Sequence, residues 1–326
     1  VEGGAAPLAW RLRAEALRRT LPHPARLAAA MRGLRLYERT PLRSIVRKTG
    51  MLRRVGLAAS EAALPRVPAR SFAPPEQPAG LTRSVAMLSG CVMPHVYPRT
   101  HEATVRVLNA LGYRVVLPEE QTCCGALSLH AGDRAFAAGL ARRNIDAFLD
   151  AGVEAIIVNS AGCGSTMKEY GDLLRDDPLY AHRAAMLSSK TLDVLEFVAA
   201  HDLPGLREVR RVVTYQDSCH LVHAQRVRAA PREILRRIPG LELREMAAPD
   251  RCCGSAGIYN IVQPDMSRAI LADKMRDVAS TGASVIATAN PGCMMQLEAG
   301  CRERGMRADV VHVIELLDEA LGAGGG

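Results

Sequence analysis

From residue 84 onward, short apolar runs alternate with longer stretches whose apolar residues return every three or four positions. Ser84–Ser89, Tyr113–Leu117 and Glu154–Asn159 have the length and composition of strands, and Thr100–Leu111 and Asp133–Asp150 between them have the period of helices. The order then repeats. Arg211–Tyr215, Leu241–Met246 and Ser284–Ala289 are again strand-like, and Asp265–Ala279 is helical. This alternation predicts an α/β fold built from two small parallel sheets flanked by helices. Upstream, leucines at helical spacing mix with arginines, as in Leu8–Arg19, and Pro65–Pro78 reads as an extended linker. The expected organisation is a basic helical lead with a Pro-rich linker (1–83), then two tandem, pseudo-symmetric cysteine-rich domains (84–204 and 205–326).

Each strand-like run leads into a cysteine. The first copy holds Cys91, Cys123-Cys124-Gly125 and Gly162-Cys163; the second holds Cys219, Cys252-Cys253-Gly254 and Gly292-Cys293. First cysteine and pair are 32 and 33 residues apart, pair and last cysteine 39 and 40, so the copy offset drifts only from 128 to 130. Scattered buried thiols would not keep such a register, so the eight are read as two copies of one site. The ninth, Cys301, has no counterpart in the first copy and falls within an expected helix, where burial explains it.

Four thiols per copy is the number that a tetrahedral zinc site or a cubane iron–sulfur cluster takes from its protein. Zinc remains open, but neither copy has the two short Cys-x-x-Cys knuckles it usually uses. Two ligands on consecutive residues and two from distant segments suit a larger, multi-iron group. Disulfides fit poorly: 326 residues are ample for ordinary cores and no secretory signal opens the chain. In open parallel sheets, sites form at the carboxyl ends of strands, where all eight cysteines fall. Gly125 and Gly254 would let the backbone turn beside the cysteine pairs, and Gly162 and Gly292 would allow close approach before the last ligand. Cys163 and Cys293 are expected to open helices, whose amide ends favour thiolate.

Seven stretches carry a family resemblance: Ser89-Gly-Cys-Val, Cys123-Cys-Gly-Ala-Leu-Ser, Val158-Asn-Ser-Ala-Gly-Cys-Gly, Lys168-Glu-Tyr-Gly, Cys219-His-Leu-Val-His-Ala-Gln, Arg251-Cys-Cys-Gly-Ser-Ala-Gly-Ile-Tyr-Asn and Asn290-Pro-Gly-Cys. With them the chain resembles the glycolate oxidase iron–sulfur subunit family, and Leu21-Pro-His-Pro-Ala-Arg-Leu looks like its connecting segment. The wider group, the cysteine-rich or CCG domains, includes heterodisulfide reductase, lactate-utilisation and anaerobic glycerol-3-phosphate dehydrogenase subunits. The resemblance implies a 4Fe-4S type group on Cys91, Cys123, Cys124, Cys163, Cys219, Cys252, Cys253 and Cys293. It implies FAD on a separate flavin-containing dehydrogenase subunit that oxidises glycolate, with electrons passed onward to a quinone or another acceptor, and a further subunit in the same complex. The chain would then be an oxidoreductase subunit without catalysis of its own.

Three departures bear on this. Gly-Ser-Thr follows Cys163 and Met-Met-Gln follows Cys293, so the fifth cysteine of the heterodisulfide reductase branch is missing from both copies. A ferredoxin-like region usually precedes the connecting segment in such proteins, whereas this sequence opens at Val1, as a piece of a longer chain would. Gln216-Asp217-Ser218-Cys219 stands where the family more often has His-Asp-Pro-Cys.

Charge alters the picture mainly for the lead. Residues 1–83 hold 16 Lys/Arg against 5 Asp/Glu, while the whole chain is only +8, so the remainder is slightly acidic. A basic amphipathic lead can dock on a partner subunit, pack on its own domain or rest on an anionic membrane, in that order of preference. Aromatic residues are only 4%, too few for a base-stacking platform, and nucleic acid is not expected as a partner. No apolar stretch is long enough to span a bilayer, so the expected location is cytoplasmic, peripheral at most to the inner membrane. Nucleotide and phosphate loops are absent as motifs. His95, His130, His220 and His223 are read mainly as cleft-lining polar residues able to hydrogen-bond a cluster, and Asp217, Glu169 and Tyr259 invite similar supporting roles.

Overall fold

A computed structural model describes residues 8–54, 61, 64–203 and 205–322. Strands β1 (Arg83–Met87), β2 (Tyr113–Val116), β3 (Ile156–Val158) and β4 (Thr191–Asp193) form one sheet in the order β2-β1-β3-β4. Strands β5 (Arg211–Tyr215), β6 (Leu241–Leu243), β7 (Val285–Thr288) and β8 (Asp309–His312) form a second in the order β6-β5-β7-β8. Every pairing is parallel. The chain is therefore α/β, with two copies of a four-stranded parallel sheet and a helical region before them.

Parallel strands covered on both faces must be apolar on both, and these are. Along β1, Val85 and Met87 enter one core and Ala86 another; along β7, Val285 and Ala287 enter that same shared core while Ile286 joins a third. The shared core lies between the sheets. The helices Pro98–Ala110 and Val194–Ala199 of the first copy and Ala230–Arg237 and Val313–Leu321 of the second fill it, with Val105, Leu108, Phe197, Ile234, Val313 and Leu317 buried together. Across it Arg106 reaches Asp318 through two hydrogen bonds of 2.8 and 2.6 Å.

The outer faces are closed by Arg134–Leu149 and Ala181–Lys190 on the first sheet and by Pro264–Ser280 and Pro291–Arg304 on the second. Cys301 is buried in that last helix against Leu271, Met275 and Leu297, consistent with packing alone. In the lead, helix Leu8–Thr20 lies near the first copy, with Arg18 over the Phe136 ring at 5.5 Å. Helices Pro24–Arg39, Leu42–Lys48 and Met51–Arg54 follow, and Pro65–Pro78 carries neither helix nor strand. β4 and β8 were not anticipated: each is three or four residues long and runs directly into a helix.

Candidate metal centre

The order β2-β1-β3-β4 reverses direction between β1 and β3, the place where a parallel sheet leaves a crevice at its carboxyl end. Cys91 follows β1 and Cys163 lies in the first turn of helix Ala161–Lys168 after β3, so they flank that crevice. Cys123 and Cys124 come to it from the loop after β2. Gly125 and Gly254, at φ +86° and +89°, turn the chain sharply behind the two cysteine pairs, a conformation a side chain would resist. In the second copy Cys219 and Cys293 flank the crevice between β5 and β7, Cys293 in the first turn of helix Pro291–Arg304.

Within each set the thiols form a row. Cys91 neighbours Cys123, Cys124 neighbours both Cys123 and Cys163, and Cys219, Cys252, Cys253 and Cys293 repeat the pattern. Those contacts, added to burial, push Cys91, Cys124, Cys219 and Cys253 above the ordinary thiol range. The contacts with the same neighbours pull Cys123, Cys163, Cys252 and Cys293 below it. Further donors favour the thiolates: the amide of Gly254 lies 3.3 Å from the Cys252 sulfur, Ser160 bonds Cys163, and Ser218 and Asn290 bond Cys293. Ser160 and Asn290 hold the N-cap positions of their helices yet make no side-chain cap bond; their side chains serve the sulfur instead.

All eight cysteines line one cavity of about 360 Å³ between the copies. Leu64, Leu127, Ile261 and Met295 make much of the rest apolar, and Pro65 at the start of the linker also lines it. Among the described residues no three His, Cys, Asp or Glu side chains surround a point suited to a single metal ion. The thiols touch in rows rather than closing a shell. A thiolate-held group fits on other grounds: four sulfurs from each copy, an apolar enclosure and N–H or O–H donors aimed at sulfur.

Of the histidines, His130 and His220 come together, stacked across the copies with ring centroids 5.7 Å apart, and both line the cavity. Burial lowers the pKa of each. His95 instead pairs with Ser71 of the linker at 2.9 Å, and His223 is exposed. Asp217 is buried against Arg232 in a two-pronged pair of 3.0 and 2.8 Å and does not line the cavity, while Glu169 is exposed and Tyr259 half-buried outside the lining. The sequence reading passed over His101. Its ring spans the Ser89 carbonyl at 2.8 Å and the Asn159 side-chain amide at 2.8 Å, tying together the segments that lead to Cys91 and Cys163. It also missed the π-helical turn His220–Ala224 directly after Cys219.

Residues 85–168 and 213–298 match the family described as cysteine-rich domain, CCG, and residues 11–64 match the linker region of the glycolate oxidase iron–sulfur subunit. The probable glycolate oxidase iron–sulfur subunit of Bacillus subtilis is 42% identical over 95% of this chain and 73% of its own. This chain belongs to the glycolate oxidase iron–sulfur subunit family. The Escherichia coli glycolate oxidase iron–sulfur subunit is 34% identical over 97% of this chain and 73% of that one. A lactate utilization protein A from Exiguobacterium is 30% identical over 73% of this chain and 98% of its own. In fold, the chain is similar to a hypothetical protein from Helicobacter pylori, at a TM-score of 0.54 and 11% identity over 81% of this chain and 53% of that one.

Proposed function

We propose that Cys91, Cys123, Cys124 and Cys163, and likewise Cys219, Cys252, Cys253 and Cys293, hold iron–sulfur groups of the 4Fe-4S type. With them the chain relays electrons from a flavin-containing dehydrogenase subunit of a glycolate-oxidising complex toward a quinone or another acceptor. The observation that carries this reading is the convergence of two matching thiol rows on one apolar cavity. Such a group supplies one-electron transfer, leaving the organic substrate to the flavin. The protein's part is to hold thiolate at neutral pH, through the donors from Ser160, Ser218, Asn290 and the Gly254 amide, and to exclude water with Leu64, Leu127 and Ile261.

The lead supports a docking role. Leu36, Leu42, Ile45 and Met51 are each at least half exposed among the exposed bases Arg39, Arg47 and Lys48. That face suits an apolar surface with an acidic rim on the flavin subunit. Among the described residues no helix is long and apolar enough to cross a membrane. We place the complex in the cytoplasm, peripheral to the inner membrane, where a quinone acceptor is within reach.

The test is iron, acid-labile sulfide and zinc content of anaerobically purified chain, with electron paramagnetic resonance before and after reduction. Native protein is expected to carry iron and sulfide and a reducible signal. Cys124→Ser and Cys253→Ser are each expected to lose about half the iron, and Cys301→Ser almost none. Unchanged iron in the first two, or zinc alone in native protein, defeats the reading.

A further inference from the structure

The last-cysteine loops of the two copies are bonded to each other. The Ala161 amide donates to the Ala289 carbonyl at 3.1 Å, and the Gly162 amide donates to Asn290 Oδ1 at 3.1 Å. The other end of the same Asn290 side chain, Nδ2, donates to Cys293 Sγ at 3.6 Å. A backbone N–H can only donate, so the bond from Gly162 fixes which end of the amide is oxygen and leaves the NH₂ facing sulfur. Gly162 immediately precedes Cys163. One side chain thus touches the ligand loop of each set.

The arrangement is one-sided. Ser160 occupies the matching position three residues before Cys163, and it bonds the Cys163 sulfur of its own copy. A methyl group on Gly162 would sit in ordinary contact, 3.4 Å from Asn290 Oδ1 and 3.9 Å from His220 Nδ1, so the bond from its amide does not hinge on the missing side chain. Gln225 of the second copy adds a bond of 2.9 Å to the Ala161 carbonyl.

We propose that Asn290 is a positioning residue shared by both cysteine sets, holding the Gly162–Cys163 turn with its oxygen and the Cys293 sulfur with its nitrogen. The two sets are then built as one unit, with the second copy bracing the first. The proposal rests on the ligand reading above only where a bound group is measured; its structural part is tested on metal-free protein.

Asn290→Ala removes both bonds, Asn290→Asp keeps an oxygen for Gly162 but presents no donor to Cys293, and Ser160→Ala perturbs the first set alone. In the reduced, metal-free full chain, hydrogen exchange of the amides in 160–165 is expected to quicken roughly fivefold in Asn290→Ala and to return toward native in Asn290→Asp. In chain loaded with iron and sulfide, Asn290→Ala is expected to alter the paramagnetic signals of both sets. Asn290→Asp should alter mainly that of the second set and lower its reduction potential, since a carboxylate oxygen then faces the sulfur. Native exchange over 160–165 in Asn290→Ala, or signal changes confined to the second set in that variant, overturns the proposal. Should Asn290→Ala not fold, equal disturbance of both sets by Asn290→Asp does the same. Absence of iron from native protein, with exchange behaving as expected, would leave the bracing intact and strike only the ligand reading.

Discussion

Asp193, at the end of β4, has one carboxylate oxygen capping the next helix through the Leu195 amide at 2.9 Å and the other buried without a partner. Burial pushes its pKa from 3.8 up to about 7. Because the folded value exceeds the unfolded one, the native state holds an extra proton between those limits; stability falls as pH rises through that window and levels off above it. Asn keeps the capping oxygen and cannot ionise. Asp193→Asn is therefore expected to match native protein near pH 4 and to exceed it at pH 8, measured by urea unfolding across that range; parallel profiles would show that Asp193 does not titrate there. The second copy meets the same need differently. His312 caps its helix through Nδ1 to the Ile314 amide at 3.1 Å, and burial pulls its pKa down to about 3, so it stays neutral. Asp193…Glu196 and His312…Glu315 are capping boxes written in the sequence, and read as such they would have marked the short strands before them.

At the level of elements, the turns behind the cysteine pairs are equivalent in backbone but not in surroundings. A methyl group on Gly125 would meet the Ala137 side chain at 3.3 Å, whereas one on Gly254 would lie 2.5 Å from the Ser267 carbonyl oxygen. The left-handed backbone costs either alanine about 1–2 kcal/mol. Gly254→Ala adds a collision with main chain that cannot swing aside, and is expected to destabilise clearly more than Gly125→Ala in thermal unfolding; equal losses would mean that the Gly254 turn relaxes freely. The need for glycine was legible from its place beside two bulky cysteines. The inequality was not, because Ala137 and Ser267 follow their turns at nearly the same separation and only the packing of helix Pro264–Ser280 brings a main-chain oxygen against Gly254.

For the whole molecule, the decisive contact is between copies. Helix Val313–Leu321 buries Val313, Ile314, Leu316, Leu317, Asp318 and Ala320, more of its circumference than one sheet could cover, because first-copy helices take the other side. Part of the lead packs on its own chain, as helix Leu8–Thr20 does near Phe136, while its apolar face at Leu36 and Ile45 stays open. Glutamate at both positions is expected to weaken association with the proposed flavin subunit at least about tenfold while iron content is kept, since charge on the proposed contact face opposes burial. Unaltered binding in a pull-down titration would exclude that face.

Periodicity and spacing by themselves determined the two α/β copies, the strands that deliver each cysteine loop and the membership of the two thiol sets, because those properties are local and repeat at a near-constant offset. Only the tertiary structure decided that the two sets face one cavity, that His130 meets His220 and that Asn290 reaches Gly162. Those contacts depend on how two separately legible sheets share a helical layer. The apolar side chains that direct this packing look the same in sequence whether they bury against their own sheet or against the other.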